Sequence, residues 1–87
     1  MANPTNVTCT ADTWTKVATN VVTGVIWKKD SSPDYLQTYR ETGGDAPTNL
    51  DDAVKTLEGN SEFISSSDPI DVYIYAVGDD GLVRVDL

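Results

Sequence analysis

Histidine is missing from the 87 residues, and cysteine occurs once. Without an imidazole, the Ser-His and Cys-His pairs that activate nucleophiles cannot be assembled, nor can a Cys/His zinc site. Cys9 has no second thiol for an internal disulfide, and a free cysteine on a strand of small residues is far more often buried and inert than reactive. Basic residues are scarce, 6 Lys and Arg against 14 Asp and Glu, for a net charge of −8. A surface of that sign does not neutralise phosphates, which argues against DNA, RNA or an anionic membrane as partner. No apolar run approaches the ~20 residues of a spanning helix. The opening MANPTN lacks the basic-then-apolar pattern of a secretory leader, so the sequence predicts synthesis in a cytoplasm.

A chain this short forms one domain, residues 1–87, and buries roughly two-thirds or less of its unfolded surface. The resulting core is thin, and packing against a partner is a common reinforcement.

What the chain has in quantity is Thr and Val, β-branched residues suited to a pleated surface. Apolar and polar residues alternate in NVTCTA, TWTKVAT, YLQTYRE, PIDVYIYAV and LVRVDL, the period of half-buried strands. VVTGVIWKK reads as a further strand in which Gly24 marks a bulge or a close approach. Asp12, the pair Thr19-Asn20, a loop over 30–34 broken by Pro33, and the pair Asp68-Pro69 punctuate the strands. GDDG, residues 78–81, reads as a tight turn with glycine at both ends for positive φ, so the last two strands are expected to form a hairpin. Val83, Val85 and Leu87 share one face there and predict a packed final strand. Leu50, Ala53, Val54 and Leu57 fit the helical i, i+3, i+4, i+7 template, with Thr48 or Asn49 as N-cap and Gly59 as stop. The same residues also read as a strand over AVKTLE. The expected fold is all-β, a small antiparallel sandwich or open barrel of about six strands built from consecutive hairpins, with a short helical turn over 49–58.

Candidate chemistry is thin. The carboxylate pairs Asp51/Asp52, Asp68/Asp71 and Asp79/Asp80 are the material for acid/base work, but each lies in an expected turn or helix start, where Asp caps or bends the chain. GDDG lacks the further oxygen ligands of a calcium loop. Neither a catalytic residue, a metal ligand nor a cofactor is assigned. The aromatic residues are more informative. Trp14 and Trp27 are expected in the core as large apolar anchors. Tyr73 and Tyr75 share one face of a strand whose other face carries Val72 and Ile74, so a second layer covers them or a partner does. With Tyr35 and Tyr39 they form the candidate partner interface. A carbohydrate or peptide platform formed by Trp14, Trp27, Tyr35, Tyr39, Tyr73 and Tyr75 is an alternative.

The segments TCTADTWTKVA (8–18) and GNSEFISSSDPIDVYIYAVGDDGLVRVDL (59–87) carry the motifs T-x-x-x-W-T-x-V, I-D-V-Y-I-Y-A and V-R-V-D, with V-T-G-V-I-W between them. In outline the chain resembles small proteins encoded in tailed-bacteriophage genomes. The resemblance implies a virion structural protein. The expected role is a capsid decoration or cement protein docked on the head, with a tail- or fibre-associated adaptor as the other option. Its expected partners are the major capsid protein, another virion protein or a second copy of itself. No functional residue carries over, because the matching motifs are strand patterns.

Overall fold

The computed structural model describes residues 5–30, 33–57 and 60–86. Among them six strands run in the order β1 (Thr5–Cys9), β2 (Trp14–Lys28), β3 (Asp34–Glu41), β4 (Lys55–Thr56), β5 (Ser61–Val77) and β6 (Gly81–Asp86), with one 3-10 turn at Leu50–Asp52. They form a single antiparallel sheet in the order β1-β6-β2-β5-β3-β4. The all-β expectation holds. Consecutive hairpins do not: of these six strands, β3 and β4 are the only sequence neighbours that pair.

The closing hairpin is a correction. β5 and β6 flank β2 on opposite sides and do not pair with each other. β6 instead inserts between β1 and β2. Of its turn glycines, one meets the expectation of positive φ and one does not. Gly78 takes φ +85° in open space, whereas Gly81 has no positive φ and is needed because a Cβ there would lie 2.5 Å from the Tyr35 ring.

Two punctuation marks turn out to lie inside strands. TWTKVAT and VVTGVIWKK are one 15-residue strand, and SEFISSS runs through Asp68-Pro69 into PIDVYIYAV as one strand of 17. The ladder between these long strands slips between Lys16 and Ala18, between Ala18 and Val21, and between Val21 and Thr23. Asn20 sits in the slip with φ +57°, a left-handed conformation that asparagine tolerates better than most residues. Residues 66–69 fall between the pairs Thr23–Ser65 and Val21–Ile70 and have no partner on β2. Pro69, which has no N–H to offer a ladder, therefore costs nothing there. Bulges bend strands, and these divide the β2–β5 ribbon into two halves.

One half carries β3 and β4 beside the end of β5. The other carries β6 and β1 beside the end of β2. The halves close on each other. The Tyr35 hydroxyl of β3 donates to the Asp30 carbonyl and accepts from the Leu82 amide of β6, although two strands separate β3 from β6 in the sheet order. Cys9, Ile26, Tyr35, Ile64, Ile74 and Val83, all at most 1% exposed, fill the space between the inner faces. At the open end the chain is clasped twice. Asp80 Oδ1 accepts from the Ala11 amide at 2.7 Å, and Asp12 Oδ1 accepts from the Gly78 amide at 2.9 Å.

The helical template over 49–58 yields only the single 3-10 turn. Of the two cap candidates it is Asn49 that caps the turn, and its side chain and that of Asp52 form a capping box. Beyond it the chain turns extended, and β4 pairs with β3 at Leu36–Thr56 and Gln37–Lys55. Leu57 is drawn into the core while Leu50 and Val54 are 53% and 63% exposed, so the apolar stripe has no surface to lie on. Gly59 and Leu87 lie outside the described residues.

Candidate docking face

The four tyrosines do not form one surface. Tyr35 is fully buried, and burial pushes its hydroxyl above the usual tyrosine pKa range. Tyr73 is 4% exposed. Both are withdrawn from a partner interface, since neither presents area to be covered. Tyr39 and Tyr75 are half-buried. Tyr39 packs on the core and its hydroxyl accepts from Gln37 Nε2 at 2.9 Å. Tyr75 meets Trp14 edge to face, with centroids 5.4 Å apart.

Of the two explanations for a strand apolar on both faces, the chain supplies a cover of its own. Register places Trp14 beside Tyr75 and Lys16 beside Tyr73, and the Lys16 ammonium sits 5.8 Å from the Tyr73 ring centroid. Residues 42–54 then lie across this outer face. Trp14 Nε1 donates to the Asn49 carbonyl at 3.1 Å, and Arg40 pairs with Asp52 at 3.3 Å. The Gly43 amide reaches Asp71 Oδ2 at 3.3 Å.

Asp71 organises this half. It is completely buried, not in an exposed turn. Its Oδ1 accepts from the Asn20 amide at 3.0 Å, holding the β2 bulge, while Oδ2 takes Gly43 and the Lys16 ammonium at 3.4 Å. The Asn20 and Gly43 amides and the Lys16 charge hold its carboxyl below the ordinary aspartate range. The Thr48 and Asn49 amides, with Arg40, do the same for Asp52. Asp71 and Asp52 are thus structural acceptors. Asp80 and Asp12 serve as the clasps. Cys9 is fully buried and its thiol is pushed up to about 11 by burial, which keeps it protonated and unreactive at neutral pH.

The other half of the ribbon has no such cover among the described residues. Pairing across it aligns Trp27 with Ser61 and Arg84, Val25 with Phe63 and Asp86, and Thr23 with Ser65, all on the outward face. Thr8 and Asn6 of β1 extend the same face beyond Leu82 and Arg84. Phe63 is 64% exposed and Trp27 41%, so Trp27 is not the core anchor expected. The inward face of this half is already filled by Ile26, Ile64, Val83 and Val85, which leaves the large ring no room inside. Trp27 Nε1 donates to Asp86 Oδ2 at 2.8 Å, and Arg84 Nε pairs with Asp86 Oδ1 at 3.2 Å. Asp86, the one carboxylate among these outward residues, is thereby neutralised. Beside Trp27 a groove of about 320 Å³ runs between Lys28, Lys29, Asn60 and Arg84.

Sequence reading missed this face. Its rows come from strands far apart in the chain, and the available signal was an unpaired aromatic in each of two Thr/Ser-rich strands. No family model, curated protein or solved structure matches the chain.

Proposed function

We propose that this protein is a structural component of a tailed-bacteriophage virion, a decoration or cement protein that docks on the capsid through the outer face of the β1-β6-β2-β5 half. The observation that carries the docking reading is a face bearing exposed Phe63 and Trp27, whose Asp86 is paired with Arg84, on a chain of net charge −8. Interface centres are depleted in charge and enriched in aromatic residues. Exposed apolar patches on small proteins mark contact sites. The strand-motif resemblance supports the choice of partner. Fully burying a Phe-sized side chain contributes roughly 1.5–3 kcal/mol, so one copy holds modestly. A shell engaging many such contacts gains through avidity.

Mass spectrometry of purified particles, with immuno-electron microscopy, tests the reading. Protein present in virions and labelled over the head is expected. Label confined to the tail reassigns it as a tail or fibre adaptor, and absence from particles overturns the virion role. Add-back of a Phe63→Ser/Trp27→Ser double variant to particles lacking the protein is expected to fail, and normal occupancy by that variant would rule out this face.

A further inference from the structure

A second depression lies on the first half of the ribbon. It is a groove of about 590 Å³ between the turn that joins β1 to β2 and the 3-10 turn. Its floor is the Trp14–Tyr75 pair. Asp12 stands on one rim, and Thr48, Asn49 and Asp51 on the other. We propose that this groove binds a neutral carbohydrate, a pyranose ring or a short run of them.

Several features favour that ligand class. The Trp14 indole N–H is already spent on the Asn49 carbonyl, so the ring offers the groove apolar surface at a fixed angle, as stacking against the C–H face of a sugar requires. Among the described residues, the Asp51 carboxylate and the Tyr75 hydroxyl make no hydrogen bond, and Asp12 uses Oδ1 on Gly78. Uncommitted acceptors beside an aromatic floor match a ligand made of hydroxyl donors, and hydrogen bonds to a carboxylate are the stronger kind. The rims are held in advance by the Asn49–Asp52 capping box and by the Asp12 and Asp80 clasps, so little ordering cost falls on binding. The volume suits small ligands, which occupy clefts of roughly 300–1,000 Å³.

Other classes fit less well. Phosphates and nucleotides meet carboxylates in a chain of net charge −8. A hard cation wants six or more oxygen ligands, and no group of three or more acidic, Cys or His side chains placed to hold a metal occurs among the described residues. A cationic peptide would suit the carboxylates, and salt separates it from a sugar, because screening weakens ion pairs and leaves neutral hydrogen bonding largely intact. The groove shares no lining residue with the Phe63/Trp27 face. The proposal does not depend on the docking reading.

The test is titration of the ¹⁵N-labelled full chain with the methyl glycosides of glucose, galactose, mannose, N-acetylglucosamine and rhamnose, at low and high sodium chloride. At least one is expected to shift the Trp14 indole resonance and the amides of Thr13, Asn49 and Asp51, equally at both salt levels. Asp51→Asn and Tyr75→Phe, which remove no hydrogen bond seen in the free protein, should each weaken that affinity about tenfold, the equivalent of one hydrogen bond. Trp27→Ser should leave it unchanged and affect only particle binding. Absence of shifts with all five glycosides, shifts centred on Trp27, or affinity unmoved by both groove variants would overturn the assignment. Binding that disappears at high salt would overturn it in favour of a cationic peptide.

Discussion

The two halves of the β2–β5 ribbon are made from the same two strands and present opposite outer faces to their surroundings. Over the first half, Tyr73 and Asp71 are sealed by Lys16, Trp14 and residues 42–54. Over the second, Phe63 and Trp27 are left outside. The difference is where polar partners sit. A buried carboxylate with Asn20, Gly43 and Lys16 on it gives a loop a reason to lie down. The second half has only Ser, Thr and an Arg84–Asp86 pair that satisfies itself within one strand, so nothing recruits a cover from within the chain. An apolar face closed by the chain's own loop contributes to stability, and the open one is the face that the proposed docking would cover.

That contrast predicts unequal costs. Asp71→Ala removes a buried carboxylate that takes two backbone amides and an ammonium, and should destabilise by about 3 kcal/mol in urea unfolding, since hydrogen bonds to a charged group contribute roughly 1.5–3 kcal/mol. Loss below about 1 kcal/mol would mean the loop is held by something else. The same carboxyl has a folded-state pKa below its unfolded value. Its contribution is therefore complete above about pH 4, the ordinary aspartate value, and is lost as pH falls through the lowered one. Asp71→Asn should flatten that acid limb of the stability profile, and an unchanged acid slope would remove Asp71 as its source.

The seam between the halves comes next. Gly81→Ala drives a Cβ to 2.5 Å from the Tyr35 ring and should cost about 2 kcal/mol, as overpacking does. Gly78→Ala meets nothing within 4 Å and suffers only its positive φ, for about 1 kcal/mol. Equal costs in a melting comparison would show that the Tyr35 contact yields easily. Smallest of all should be Phe63→Ser on the open face, within about 0.5 kcal/mol of wild type by thermal unfolding. A loss of about 2 kcal/mol there, the size of a buried large-to-small change, would mean the face is covered in the free protein after all.

How much of this could be read beforehand depends on range. Alternation located β1, β3 and β6 and the inward set of Val72, Ile74, Ala76, Val83 and Val85, because side-chain period is a local property of a strand. Asn20 and Pro69 were misread as chain breaks because a bulge and a break use the same residues, and only the partner strand tells them apart. The closing hairpin failed for a related reason. GDDG does turn the chain, but β6 is claimed by Val7 and Thr5 on one side and by Ile26 and Lys28 on the other, partners far away in sequence. The tyrosine interface failed on burial. Tyr35 and Tyr73 look alike in sequence to Tyr75, but Tyr35 lies between the inner faces of the two halves and Tyr73 under Lys16 and the loop, and neither contact leaves a local mark on the sequence.

The placing of β6 between β1 and β2 has a kinetic consequence. Its slot lies between β1 and β2, so the second half holds only its β2–β5 ladder until β6 arrives, and β1 has no ladder before then. Nearly every pairing in the sheet joins distant residues, the topology of slow two-state folders in the millisecond-to-second range. The first half, by contrast, can assemble as soon as β5 emerges. The ladders of the sealed half therefore need no residue beyond β5, whereas the half that bears Phe63 and Trp27 is completed by β6.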